Sequence, residues 1–129
     1  MNWYLKAWRN TFDFWGRARR REFWYFILVF AALLAAPYLV EAYVLRTPDH
    51  EAATVISGVV FMVHLTTLIS VTIRRLHDIN LSGWWFSLNW LGPLGTLVLA
   101  YLFLRDSYSS YNQWGAVPKE MSDEQWNEP

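Results

Sequence analysis

Residues 81–104 read LSGWWFSLNWLGPLGTLVLAYLFL, 24 consecutive positions without a charged side chain. At about 1.5 Å per helical residue, a run of this length covers a hydrocarbon core roughly 30 Å thick. Two further uncharged stretches precede it, Phe23 to Val40 (18 residues) and Ala52 to Ile73 (22 residues). Three such segments in a chain of 129 residues cannot all be hidden inside a soluble fold. The expected class is an all-α integral membrane protein with three transmembrane helices, at about 23–43, 52–73 and 81–104. Residues 1–118 then form a single membrane domain, and 119–129 a disordered acidic tail.

Within 81–104, Gly92-Pro93-Leu94-Gly95 falls in the middle and predicts a bend or local unwinding. Two full crossings are excluded, because each half has only about a dozen residues where about 20 are needed. One kinked span and a partly re-entrant segment both remain compatible with the spacing.

Composition agrees with a membrane setting. Hydrophobic residues make up 54% and aromatics 19%, including nine Trp, and the rings cluster near span ends, as amphipathic rings do at headgroup level. The absence of cysteine excludes disulfides and thiolate chemistry. A formal charge of zero conceals an asymmetry. Lys6, Arg9, Arg17, Arg19, Arg20 and Arg21 precede the first span, and Arg74 and Arg75 follow the second; only Arg46, Arg105 and Lys119 lie elsewhere. The positive-inside rule therefore predicts a cytoplasmic N-terminus and, with three spans, an external C-terminal tail. The first span is expected to be retained rather than cleaved as a leader, since Pro37 directly follows the small residues Ala35 and Ala36.

Residues 2–15 predict an amphipathic helix in the membrane interface. Tyr4, Leu5, Trp8, Phe12 and Trp15 recur at helical spacing, while Lys6, Arg9, Asn10 and Asp13 fall largely elsewhere. Arg17, Arg20 and Arg21 share one helical face by spacing, which makes them candidates for headgroup phosphates or a protein partner, together with Arg74 and Arg75. Glu22 stands at the mouth of the first span, where a carboxylate is costly without a cation beside it. It is expected to join His77 and Asp78 in an ion-pair or polar cluster. In the second span Thr54, Ser57, His64, Thr67 and Arg74 follow steps of three or seven, so this stripe should face the bundle interior. His64 is the intramembrane polar group of interest.

Several motifs then resemble a known family. These are Trp3-Tyr4-Leu5, Gly16-Arg17-x-x-Arg20-x-Glu22-Phe23-Trp24, Arg74-Arg75-Leu76-His77-Asp78 followed by Ser82-Gly83-Trp84-Trp85, and Asn112-x-x-Gly115. They are similar to the small bacterial inner-membrane proteins catalogued as domain of unknown function eight hundred and five, from Met1 to about Pro118. Leu81 and Gln113 stand where that family usually shows basic residues. The resemblance implies a multi-pass protein of the bacterial inner membrane and no established biochemistry.

Two classes of function follow. One is a non-enzymatic membrane component whose basic cytoplasmic rim binds anionic lipid, a membrane-protein partner or a second copy of the chain. The other is a small transporter or intramembrane enzyme using His64, His77, Asp78 and Glu22. The sequence displays no metal-ligand spacing and no nucleophile with a paired base, so no metal, cofactor or catalytic residue is expected. Nucleic acid is not an expected partner.

Overall fold

The computed structural model describes residues 2–46 and 50–116. Among them the architecture is helical, and strand pairing is confined to a single bridge between Asn112 and Gly115. The expected acidic tail, 119–129, lies outside the described residues.

Helix α1 is Trp3–Arg9, seven residues capped by the Asn2 side chain, which accepts a hydrogen bond from the Leu5 N–H. It is shorter than the helix expected over 2–15. Thr11 donates its hydroxyl to the Trp8 carbonyl oxygen at 2.6 Å, which competes with continuation of the helix. Phe12 and Trp15 remain exposed, but Tyr4 turns inward, and Lys6, expected on the polar face, is buried. The segment leans on the two long helices as well as presenting aromatic rings outward.

Helix α2, Arg20–Leu39, contains Pro37 and passes directly into a π-helical turn, Val40–Leu45. Proline supplies no N–H to the preceding turn, and the wider π geometry follows it. The turn carries Glu41 inward. Its carboxylate accepts the Ala53 N–H at 2.8 Å and lies 3.1 Å from His50 Nδ1, at the start of helix α3. A carboxylate there favours the positive end of the helix dipole.

Helix α3, Glu51–Asp78, is 28 residues long. Among the described residues, Arg20–Leu45 and Glu51–Asp78 are the two helices long and apolar enough to cross a membrane. Of the stripe expected on α3, Ser57, His64, Thr67 and Arg74 are buried and Ser70 and Asp78 join them, whereas Thr54 is exposed and spends its hydroxyl on the His50 carbonyl oxygen. Ser57 donates to the Leu34 carbonyl oxygen at 2.9 Å, Thr67 and Thr11 share a hydroxyl contact of 2.8 Å, and Ser70 donates to the Asp13 carbonyl oxygen at 2.7 Å. Each of these polar groups meets a partner on another segment, as buried donors and acceptors do.

The continuous span expected over 81–104 is corrected. A 3₁₀ segment, Gly83–Leu91, leads to a turn at Gly92, and helix α4, Pro93–Leu104, follows. Gly92 adopts φ +65°, a region that side chains disfavour, and a Cβ on Gly95 would sit 1.7 Å from the Leu88 carbonyl oxygen. The two legs therefore pack back to back as a tight hairpin. Nine 3₁₀ residues rise about 18 Å and twelve α residues about 18 Å, so the return leg retraces the outgoing one. Contacts agree with that closure. Gly83 abuts Ile73 and His77 at the end of α3, while the carbonyl oxygens of Phe103 and Arg105 accept hydrogen bonds from Arg75 near the same end. Residues 107–115, part of the segment expected on the side opposite the N-terminus, instead lie against Arg17 and Asp78. Arg46 is left as the one cation at the opposite end among the described residues.

Candidate functional site at the arginine end of the bundle

Four segments converge where α2 begins and α3 ends. Their apolar packing comes from Ala18, Phe23, Leu76, Ile79 and Phe103, all buried, with the Phe23 and Phe103 ring centroids 4.6 Å apart. Inside this shell sits a network of buried charges. Arg74 Nη1 is 2.6 Å from Glu22 Oε1, and Lys6 Nζ is 4.0 Å from Glu22 Oε2. Arg17 Nε is 3.2 Å from Asp78 Oδ1, and Arg75 donates to Asp78 Oδ2.

The hydrogen bonding is dense around Arg17 and Asp78, whereas Glu22 Oε2, Arg74 Nη2 and Arg75 Nε are buried without a hydrogen-bond partner among the described residues. A guanidinium carries five N–H groups, and Arg17 makes five bonds. They reach Asp78 Oδ1 and the carbonyl oxygens of Asp78, Tyr108, Ser110 and Gly115, at 2.8 to 3.3 Å. Asp78 also accepts the Ser107 hydroxyl at 2.6 Å. Arg75 donates to the carbonyl oxygens of Phe103 and Arg105. The Asn112 side chain donates to the His77 carbonyl oxygen at 2.9 Å. A charged pair buried this deeply is best tolerated when its remaining donors and acceptors are matched, a condition that Arg17 and Asp78 meet more fully than Glu22 and Arg74.

The five arginines expected to form one rim are thereby divided. Arg17, Arg74 and Arg75 are buried at 5%, 2% and 0% exposure and face protein groups, so a headgroup role for these three is corrected. Arg17 does not share a helical face with the others, because α2 begins only at Arg20. Arg20 and Arg21 are exposed on the first turn of α2, and Arg20 Nη1 lies 4.0 Å from Asp106 Oδ1, just past the end of α4.

The residues considered for transport or catalysis do not share a chamber. Glu22 and Asp78 belong to separate ion pairs. His64 is more than three turns of α3 away from His77, where Nδ1 donates to the Val60 carbonyl oxygen at 2.7 Å and Nε2 lies 2.8 Å from the Tyr4 hydroxyl. Both ring nitrogens are used, and Trp8, Phe26 and Phe30 surround the ring. His77 stacks on Trp114 with centroids 4.4 Å apart and lines an aromatic cavity of about 560 Å³ with Trp15, Trp84 and Trp90. None of Glu22, His64 and Asp78 reaches that cavity. A second cavity, of about 590 Å³, lies between α2, α3 and the hairpin.

Ser107, Tyr108 and Ser110 are contributors that no helical spacing reveals. They act through a loop, two of them by backbone carbonyls that any residue could supply. The one signal was Asn112-x-x-Gly115, whose two residues bridge each other and bind His77 and Arg17.

Comparison with known proteins agrees with this arrangement of motifs. Residues 11–116 match the family described as protein of unknown function (DUF805). The chain is 33% identical over 131 residues to the inner membrane protein YhaI of Escherichia coli (strain K12), covering 92% of this chain and 97% of the relative. It is 32% identical over 121 residues to the inner membrane protein YhaH of the same organism, covering 92% and 98%. No solved structure matches the chain. The extent of the match, which takes in the buried arginines, the hairpin and the Asn112 to Gly115 bridge, means that the chain belongs to the DUF805 family.

Proposed function

We propose that this chain is a multi-pass, non-enzymatic protein of the bacterial inner membrane whose arginine end lies in the cytoplasm and holds anionic lipid. The relatives named above are inner membrane proteins, and two helices here have the length and apolarity of spans. In this reading α2 and α3 cross the bilayer, while the 3₁₀ segment and α4 enter and return from the cytoplasmic side. The third expected crossing is replaced by that hairpin, and α1 packs against the cytoplasmic half of α2 and α3, reaching His64 through Tyr4. The concentration of Lys and Arg at one end supports the orientation.

The observation that carries the lipid reading is the division of the arginines. Arg17, Arg74 and Arg75 hold the fold together, and Arg20 and Arg21 project outward at the mouth of a long apolar helix, the level at which headgroup phosphates lie. The test is lipid retention by the full chain in nanodiscs of equal phosphatidylglycerol and phosphatidylcholine. The double variant Arg20→Gln with Arg21→Gln should lose the preference for phosphatidylglycerol, whereas Arg46→Gln at the other end should keep it. An unchanged preference in the double variant, with the fold intact, overturns the lipid reading and leaves a protein partner as the better account of this rim.

A further inference from the structure

Resting on that reading, we infer that the cleft between α2, α3 and α4 is a phospholipid site, with an acyl chain in the cavity and an anionic headgroup at Arg20, where Asp106 now stands. Phe23, Trp24 and Ile27 form one wall, and Thr96, Ala100 and Phe103 the facing one. Arg20 belongs to the first wall by spacing, since positions 20, 24 and 27 lie on one face of α2. From the level of Arg20 to that of Ile27 is about 10 Å along the helix, which places the cavity directly beneath the guanidinium.

The cavity presents an apolar surface although three polar residues line it. The Thr72 hydroxyl donates to the Leu68 carbonyl oxygen at 2.6 Å, Thr96 to Gly92 at 3.1 Å, and the Asn89 amide to Phe86 at 3.2 Å. Both hydroxyl donors and one Asn89 N–H are spent on the backbone, and the rest of the lining is apolar, so the space suits hydrocarbon better than a polar solute. A cleft of this kind closed over by a cation fits an amphiphile of opposite charge at its head, and a bilayer supplies one in anionic phospholipid.

Asp106 gives the site its regulation by competition. Its carboxylate reaches Arg20 at 4.0 Å from the far side of the cleft, tying the end of α4 to the start of α2. Both side chains are exposed, at 43% and 63%, so the pair is weak enough for a phosphate to displace. A headgroup at Arg20 would take the position of the carboxylate and release it.

The experiment uses the full chain in the same nanodiscs, with a phosphatidylglycerol carrying a photoreactive group on one acyl chain, and maps the crosslinked peptides. Crosslinks are expected on the peptides containing Trp24 and Ala100. Ala100→Trp fills the cavity and should abolish them without altering the charge at Arg20. Asp106→Asn should raise retention of phosphatidylglycerol by about fivefold, the value of one surface charge, and Arg20→Gln should lower it comparably. Crosslinks that persist in Ala100→Trp, with that variant's thermal unfolding unchanged, overturn the acyl cleft while leaving the headgroup reading standing. Should Ala100→Trp unfold, Ile27→Trp provides the same blockade from the opposite wall. An Asp106→Asn variant with unchanged retention overturns the competition at Arg20.

Discussion

Arg17 Nε and Asp78 Oδ1 are 3.2 Å apart although 61 residues separate them in the chain, and both side chains are buried, at 2% and 0% exposure. This pair joins the segment before α2 to the end of α3. The other donors of Arg17 then fix the loop that follows α4. One guanidinium thus ties together three parts of the chain that share no helix.

Replacing Arg17 with Gln leaves the Asp78 carboxylate with one cation fewer and frees the carbonyl oxygens of Tyr108, Ser110 and Gly115. The expected cost is about 3–5 kcal/mol, the range for breaking a buried pair from one side. Arg17→Lys should recover little of it, because an ammonium offers three donors where five are used. Thermal unfolding in detergent measures both. A loss below about 1 kcal/mol would place this pair with ordinary exposed ones.

Glu22 accepts a hydrogen bond from Arg74 and lies 4.0 Å from the Lys6 ammonium. Glu22→Gln alone should destabilise by several kcal/mol, since it removes the carboxylate charge that faces the buried Arg74 guanidinium. The triple variant Lys6→Met, Glu22→Leu and Arg74→Met should restore most of that loss, as apolar groups of similar size need no partner. A triple variant as unstable as the single one would mean that the network is required for more than charge balance.

Gly95→Ala should open or distort the hairpin, because its Cβ would fall 1.7 Å from a backbone oxygen that cannot rotate away. Gly58→Ala is the matched control. Nothing lies within 4 Å of that position, so the change should be neutral or stabilising by up to about 1 kcal/mol from helix propensity. Comparable stability in the two variants would argue against close packing of the hairpin legs.

Reporter fusions before Trp3 and after residue 116 should report from the same side of the membrane, and an insertion after Arg46 from the other. A fusion after residue 116 that reports with Arg46 would restore a third crossing and remove the hairpin arrangement.

Tyr4→Phe tests how firmly the N-terminal segment is held. The hydroxyl lost from His64 should cost about 0.6 kcal/mol, at most about 1.7, the range measured between helices in a bilayer. The stacked Tyr4 and Phe26 rings, with centroids 5.9 Å apart, are kept by this change. A much larger loss would show that the ring position itself depends on the hydroxyl.

Much was legible in the sequence. Charge-free runs mark the two long helices, because a helix in hydrocarbon must be apolar over its whole length. Polar steps of three and seven place Ser57, His64 and Thr67 on one inward face, because helical geometry links spacing to direction. What the sequence left open is the path of 81–104 and the use of each arginine. A 24-residue apolar run has the same hydropathy whether it crosses once or turns at Gly92, and the close approach of Gly95 to Leu88 exists only once the two legs are packed. Arg17, Arg20 and Arg21 are likewise identical in composition. Arg17 is internal because carbonyl oxygens from a loop some 90 residues later converge on it, and convergence of distant backbone atoms is a property of the folded chain alone.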